Sequence, residues 1–331
     1  MRRELTRVTL PRHARSGSSF RELFDVPAAD VLASMDRAGD DVPSGLPEYL
    51  LAIDAVGLER RDVVVTIADP FGACGDVTAV CDVNVAAHVP ASRRGVHVSR
   101  MGQVIAESVD RSYPDVAGYA DAVCAALARS QYGRAQVTVH ARIPYLEEVQ
   151  ADASGRRKPS LEHLHQIVRR TDGPGTTSTD LGLRVTHLIA CPCVQKTYQH
   201  AMALRELDGT GAAVPGPLPL MTHSQRCDTT VMVCGVSERI SIAAMLATID
   251  GVLFRTCNTL PRDAELAYVY RAHARPQFIE DALRAAVMAT AGAWRSRAAF
   301  QRISGRSRSL ESIHEYDLTA SLDVDADDLP A

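Results

Sequence analysis

The clearest strand signal in this sequence is the stretch AQVTVHARI, residues 135–143. Its apolar residues, Val137, Val139, Ala141 and Ile143, alternate with polar ones. Successive side chains of a β-strand point to opposite faces, so the stretch predicts a strand with one buried face and one polar face. The rest of the fold can be built outward from this strand.

Segments on both sides of this strand repeat one order of elements. Before it come strand-like residues 63–67 and 77–85 and helical residues 99–111 and 117–130; after it, residues 161–171 suit either a helix or a strand. From residue 178 the order returns, with strands at 181–191 and 228–235, a helix at 238–250, a longer helix from Pro276, and strand-like segments at 298–303 and 312–322. Pro276 suits a first helical position, where its missing N–H is not needed.

This repeated order predicts an α+β protein with two similar halves. We expect residues 1–55 to form an irregular N-terminal extension with a helical stretch near 20–37. Residues 56–175 are predicted to form the first unit. Residues 176–331 are predicted to form the second unit, which ends in the acidic tail Asp323–Asp328.

Composition excludes several classes of protein. The chain has 331 residues, of which 46% are hydrophobic and 23% charged, and its formal net charge is −4. That charge balance is not the footprint of a nucleic-acid-binding protein. No apolar run approaches the ~20 residues of a membrane helix, and the basic N-terminus lacks the apolar core of a signal peptide. We therefore expect a cytoplasmic protein with neither a nucleic acid nor a membrane as partner.

Five of the eight cysteines fall into two groups. Cys81, Cys124 and Cys234 lie in apolar periodic segments, where a buried thiol is the ordinary interpretation. Cys191 and Cys193 instead flank Pro192 directly after a strand-like run. In a cytosolic protein of this size, free thiols, a metal ligand or a nucleophile are favoured over a disulfide framework.

Four local features can carry chemistry. They are Cys191-Pro192-Cys193, the segment Thr222-His223-Ser224-Gln225-Arg226, the carboxylates Glu265 and Glu280, and the segment Glu311-Ser312-Ile313-His314-Glu315. A cysteine, a histidine and a carboxylate can hold zinc or ferrous iron and leave a position for water, as a catalytic site requires. Singly, each feature also has a structural interpretation; Glu280, for example, can simply complement a helix dipole.

Together and in this order, the features resemble GTP cyclohydrolase IB, a metal-dependent family. That family carries Cys-Pro-Cys at a strand end, then His-x-Gln-Arg, a Glu, a second Glu about fifteen residues later in a P-x-F-[IV]-E-D helix start, and finally E-S-I-H. The matching segments here are Cys191–Cys193, His223–Arg226, Glu265, Pro276–Asp281 and Glu311–His314. A G-x-[HN]-M-S-R turn in the family's first half corresponds to Gly95–Arg100. The resemblance spans roughly residues 60–322.

The resemblance implies a bimodular tunnelling fold, in which each unit has two strands, two helices and two more strands. It also implies a homo-oligomer, a homotetramer with active sites at interfaces between units. The implied ligands of the divalent metal (Fe²⁺, Zn²⁺ or Mn²⁺) are Cys191, His223 and Glu265, with Cys193 close to the catalytic site.

The resemblance also implies roles in binding and proton transfer. Glu280 would hold the guanine, since one carboxylate can accept from N1–H and the exocyclic amine together. His314 would transfer protons, which suits an unperturbed pKa near ~6.5. The remaining substrate contacts are assigned by motif position and charge, mainly for the triphosphate: Arg226, Arg100, Ser99, His97 and Gln225.

The implied reaction opens the guanine imidazole ring of GTP. Hydroxide attacks C8, a second hydrolysis releases formate, and rearrangement of the ribose closes a pterin ring. The product is 7,8-dihydroneopterin triphosphate, or a cyclic phosphate in an archaeal-type branch of the family.

Several departures from the family pattern bear on this interpretation. The segment between Cys191 and His223 is longer than usual and is predicted to be an extended loop, and, like Val194-Gln195, it resembles the archaeal-type branch. Asp263 is an alternative metal ligand to Glu265, and Tyr316 replaces a usual histidine.

Three other functions compete with this one. They are an enzyme of specialised metabolism acting on a related purine nucleotide, a non-catalytic purine-binding member of the fold, and a thiol redox protein. The last ranks lowest, because one proline between two cysteines makes a strained disulfide.

Overall fold

A computed structural model of the chain describes residues 25–38, 41–71, 75–148, 159–174, 177–207 and 221–330. The helices are α1 Ala28–Ala38, α2 Val98–Ser108, α3 Val116–Ser130, α4 Pro192–Leu207, α5 Ile242–Asp250, α6 Arg262–Ala274 and α7 Ile279–Arg295. The strands are β1 Ile53–Ile67, β2 Val77–Val89, β3 Ser112–Tyr113, β4 Ala135–Glu148, β5 Pro159–Asp172, β6 Ser178–Ala190, β7 Ser224–Cys234, β8 Phe254–Arg255, β9 Arg302–Ser309 and β10 Leu318–Asp325. Two 3₁₀ turns occupy Val42–Ser44 and Ala326–Asp328.

All ten strands within the described ranges belong to one sheet. Its order is β10-β9-β7-β6-β5-β4-β2-β1-β3, and β8 pairs with the end of β6. Every pairing is antiparallel except that of β1 with β3. The first unit therefore comprises β1, β2, α2, α3, β4 and β5, and the second comprises β6, β7, α5, α7, β9 and β10. This arrangement confirms the α+β class and the bimodular tunnelling fold.

The core lies on one face of the sheet. On β4, Val137, Val139, Ala141 and Ile143 are at most 2% exposed, as their alternation predicts. Helices cover this face: Tyr119, Val123 and Leu127 of α3 are buried above the first unit, and Leu283, Val287 and Trp294 of α7 above the second. Burial of these apolar side chains is the main stabilising contribution to both units.

A side-chain N-cap is present at the start of one helix in each unit. The side chain of Asp115 accepts from the Gly118 N–H at the beginning of α3. Ser241 caps α5 in the same way through the Ala244 N–H. These caps satisfy backbone donors that a helix start otherwise leaves without partners.

The structure corrects the sequence predictions at several boundaries. Residues 161–171, which suit either element by sequence, belong to strand β5. The long helix begins at Ile279 rather than Pro276, because residues 276–278 are extended or irregular. Residues 310–317 form a loop, so β10 starts later than predicted and His314 is not in a strand. The acidic tail is not free, since Asp323 and Asp325 pair with β9.

Other predictions are tested only in part. Of the helical stretch near 20–37, residues Ala28–Ala38 form α1, and residues 1–24 lie outside the described residues. The same is true of 208–220, most of the predicted extended loop, while its first part is α4. The domain boundaries near 55 and 175 stay predictions. Within the described ranges, every helix is too short or too polar to cross a lipid bilayer.

Candidate active site

Cys191 and His223 lie side by side where two paired strands end. Ala190 and Ser224 form the last pair of β6 and β7, and the Cys191 N–H donates to the His223 carbonyl over 3.1 Å. The Thr222 hydroxyl donates to the Cys191 carbonyl over 2.7 Å. Helix α4 begins at Pro192, so Cys191 is half-buried between a strand end and a helix start, whereas Cys193 is exposed. The antiparallel pairing therefore brings together a thiol and an imidazole that are distant in sequence.

The His223 ring is held by a chain of hydrogen bonds. Its Nδ1 lies 3.0 Å from Oε1 of Gln225, whose Nε2 donates to Glu311 over 3.1 Å. The Ser309 hydroxyl donates to the same Glu311 oxygen over 2.7 Å. A carboxylate only accepts, so the Gln225 amide must turn its NH₂ to Glu311 and its oxygen to His223. His223 then carries its proton on Nδ1, and Nε2 keeps a free lone pair.

His314 lies in the loop between β9 and β10, next to this imidazole. Its ring centroid is 6.5 Å from that of His223, with the two rings nearly perpendicular. On its other side it stacks on Tyr316 with centroids 4.9 Å apart. Ser312 of the same loop lies 3.4 Å from Nδ1 of His223. His314 is exposed, so it can reach a bound molecule.

Glu280 is brought to the same end of the sheet by the start of α7. The Gln277 N–H donates to the Ala190 carbonyl over 3.1 Å, which ties the segment before α7 to the residue before Cys191. Glu280 lies in the first turn of α7 and is exposed. Gln195 of α4 donates to the His273 carbonyl over 2.7 Å, so the end of α6 meets the same region.

Glu265 does not join Cys191 and His223 in this chain. It is exposed in the first turn of α6, and among the residues that the structure describes no three His, Cys, Asp or Glu side chains are close enough to hold a metal ion. The side chain of the alternative ligand Asp263 lies outside the described part. The paired strand ends place Cys191 and His223 next to each other, and the set of thiolate, imidazole and carboxylate fits a zinc or iron site by chemistry.

The predicted substrate contacts occupy separate places. Arg226 is exposed on β7, beside His223 in sequence. Ser99 and Arg100 begin α2 in the first unit, which packs beside β1 and α3, and β2, β4 and β5 separate β1 from β6. His97 precedes α2 and is 9% exposed, with Nε2 3.6 Å from Asp41. One chain therefore does not bring the α2 residues to Cys191.

A family model described as type I GTP cyclohydrolase folE2 matches residues 40–320 of this chain. The chain belongs to this family.

Archaeal relatives agree with that assignment. GTP cyclohydrolase MptA of Thermoplasma acidophilum is 28% identical over 303 residues, which cover 87% of this chain and 96% of the relative. GTP cyclohydrolase MptA of Methanoculleus marisnigri is 24% identical over 294 residues, covering 85% and 93%. The resemblance to GTP cyclohydrolase IB and its archaeal-type branch is thereby confirmed, as is the prediction of an enzyme of this class.

Solved structures of uricases are similar to this chain at low sequence identity. The uricase from Arthrobacter globiformis is similar with a TM-score of 0.44 and 8% identity, covering 84% of this chain and 96% of that one. A hyper-thermostable mutant of AgUricase gives a TM-score of 0.47 and 8% identity, covering 85% and 95%.

The structure adds residues to the site that sequence patterns do not reveal. Glu311, Ser309 and Tyr316 have no role in the predicted site, although Glu311 and Tyr316 fall within or beside its motifs. Gln225 is predicted as a substrate contact, and both ends of its amide are engaged within the chain. It is 8% exposed, at a position of β7 where an apolar residue would be usual. In the sequence, the one signal for this role of Gln225 is a glutamine near a histidine at a strand position that is usually apolar.

Proposed function

We propose that this protein opens the guanine imidazole ring of GTP at C8 by hydrolysis and releases formate. The product is 7,8-dihydroneopterin triphosphate or its cyclic phosphate. Membership of the GTP cyclohydrolase family supports the substrate class. The observation that carries the proposal is that Cys191 and His223 are adjacent at the ends of two paired strands. The Cys191 N–H donates to the His223 carbonyl over 3.1 Å, and Gln225 orients the His223 ring.

A divalent cation would be held by Cys191 and His223, with Glu265 as the third ligand. Such a cation lowers the pKa of a bound water toward 7. The free Nε2 of His223 is the nitrogen left for this role, because the Nδ1–H donates a hydrogen bond to Oε1 of Gln225. The carboxylate must approach the pair when the metal binds.

Glu280 would recognise the guanine base. It is exposed at the start of α7, and the bond from Gln277 to Ala190 keeps this helix start beside Cys191. A carboxylate can accept from the N1–H and the exocyclic amine together, which orients the purine and selects guanine over adenine.

His314 would move protons during ring opening. The ring is exposed, stacked on Tyr316 and edge-on to His223. Stacking limits the directions in which the imidazole can point, while its two nitrogens stay available to a bound base. An imidazole can both accept and donate a proton near neutral pH.

The phosphate contacts support a shared site between copies of the chain. Arg226 lies beside the pair of Cys191 and His223, but Arg100, Ser99 and His97 lie in the first unit, beyond three intervening strands. A homotetramer with active sites between units would place the α2 residues of one copy near β6 and β7 of another. Size measurement by light scattering tests this, and a fully active monomer would refute it.

Incubation with GTP tests the reaction itself. The protein is purified without oxygen, stripped of metal and then supplied with Fe²⁺ or Mn²⁺. We expect it to release one formate per GTP and to yield a pterin that fluoresces after oxidation. Mass spectrometry of the product distinguishes the triphosphate from the cyclic phosphate. If another purine nucleotide yields formate and GTP does not, the protein is instead an enzyme of specialised metabolism that acts on that nucleotide. No formate from any purine nucleotide would refute the proposal.

A further inference from the structure

A polar cleft opens between the two units, where strands β5 and β6 separate. Their pairing ends at His165 and Arg184, and beyond this point β6 pairs with β8 instead. The cleft has a volume of about 240 Å³ and is open to solvent. None of the residues assigned above to metal, guanine or proton transfer lines it.

Basic side chains dominate the lining of this cleft. They comprise three arginines and two histidines, against the single carboxylate of Glu162: Arg142, His163, His165, Arg184 and Arg255. Glu162 is 5% exposed and accepts from the Ser160 hydroxyl at 2.6 Å and the Asn258 N–H at 2.8 Å. Its negative charge is therefore already engaged in holding β5 to the segment before α6.

Three of the basic residues form a row across the sheet. Arg142 of β4 is paired with His165 of β5, and His165 is paired with Arg184 of β6. All three are exposed, on the face opposite the helices. Like charges directly opposite one another destabilise a sheet, so the row has an energetic cost unless an anion lies over it.

The donors in this row are not fully used within the chain. Arg255 lines the cleft outside this row, and its guanidinium already donates to Asp250, Tyr145 and Glu147. Arg184 has one ion pair, from NH2 to Asp228 at 2.7 Å. Over the ranges that the structure describes, Arg142 has no ion-pair partner. Partial desolvation lowers the pKa of His165, the positive charges of Arg184, His163 and Arg142 lower it further, and the negative charge of Asp228 on β7 raises it.

We propose that this cleft is an anion site that binds a phosphate or polyphosphate group through Arg142, His165 and Arg184. Guanidinium groups match phosphate oxygens with two parallel hydrogen bonds, and an imidazolium adds a third donor. The bound group belongs either to a nucleotide or to a free inorganic phosphate. The site does not depend on the metal or on turnover.

Calorimetric titration of the full chain with inorganic triphosphate tests this site. We expect saturable binding, and uptake of protons at pH values above the lowered pKa of His165, because the anion favours the protonated form of this side chain. Proton uptake appears as a dependence of the heat on the buffer, and His165→Gln should abolish it. Arg142→Gln and Arg184→Gln should each weaken binding roughly ten- to hundredfold, the usual effect of losing a charged hydrogen bond.

Arg169→Gln is the matched control. Arg169 lies four residues along the same strand, on the same face, and is paired with Asp180. Its loss should leave triphosphate binding unchanged at constant ionic strength. Competition separates the two sources: GTP displaces triphosphate if the cleft takes nucleotide phosphates, and does not if it takes only inorganic ions. Absent binding, or an equal loss in Arg169→Gln and Arg142→Gln, would overturn the proposal.

Discussion

The two units of this chain share one order of strands and helices but differ on the face that the helices cover. In the first unit the covered positions of β1, β2 and β4 are apolar, as at Val65, Val83 and Val139, each fully buried. In the second unit the corresponding face becomes polar toward one end, where Gln225, Thr229, Ser307, Ser309 and His187 are each at most 8% exposed.

The polar side chains of the second unit bond to one another. His187 lies 2.8 Å from the Thr229 hydroxyl, which lies 2.7 Å from that of Ser307. Burying a polar group without a partner destabilises a fold, and these bonds offset that cost. The polar end of this face lies beside Cys191 and His223.

In the first unit the covered face is apolar on β1, β2 and β4 and becomes polar only on β5, where Glu162 and Gln166 are buried, whereas in the second unit the buried polar side chains lie next to Cys191 and His223. We infer that the second unit uses part of its core to orient the proposed site.

The largest expected effect is a loss of turnover when His314 is replaced. His314→Ala should still bind GTP and metal, and its turnover should fall by about 10²- to 10⁴-fold, the usual contribution of a positioned acid–base group. Single-turnover kinetics with metal analysis measures this. Loss of the metal from His314→Ala would show instead that His314 is a ligand.

Glu280→Ala should produce the complementary defect. Guanine N–H groups would lose their acceptor, at a cost of roughly 2–4 kcal/mol or about 30- to 1000-fold in GTP affinity, while the metal stays bound. Nucleotide titration of the variant measures the change. GTP binding as tight as in the parent protein would disprove the guanine assignment.

Gln225→Leu tests whether the polar face of the second unit serves His223. Without the Oε1 acceptor the ring loses its orientation, and metal affinity should fall about 10- to 100-fold. Competition with a chelator for Zn²⁺ measures this. Gln166→Leu is the matched control, since Gln166 of β5 in the first unit is also buried, at 5% exposed. Equal metal affinity in both variants would remove the proposed role.

The smallest effect concerns stability and pH. Burial lowers the pKa of His187 from 6.5 to about 4, so the folded state disfavours the imidazolium that the unfolded chain accepts. The stabilising contribution of the neutral ring is present above pH 6.5 and is lost as the pH falls toward 4. Between pH 7 and pH 5 the loss is about 2 kcal/mol.

Urea unfolding at both pH values measures this contribution. His187→Gln should flatten the dependence, whereas His140→Gln, at an exposed position of β4 in the first unit, should not. Identical pH dependence in His187→Gln and the parent would contradict the assignment.

The sequence predicts most of the first unit because its core positions alternate cleanly, as in residues 135–143. It predicts the second unit less well, and the reason is physical. Ser307 and Ser309 alternate with arginines in a strand that looks solvated, yet both are buried in a strand that packs against α7. The loop at 310–317 is missed because Ile313 and Tyr316 suggest a strand, although both are exposed. The motif identifies Cys191 and His223, but only the pairing of β6 with β7 shows that they meet.

Cobalt substitution tests the central claim most directly, that the end of the second unit holds a catalytic metal through Cys191. Co²⁺ bound to a thiolate shows a charge-transfer band in the near ultraviolet, which reports the ligand itself rather than activity. We predict this band in the parent protein and in Cys193→Ala, where only the neighbouring exposed thiol is lost, and its absence in Cys191→Ala. A band that persists in Cys191→Ala, or that disappears in Cys193→Ala, would contradict the account.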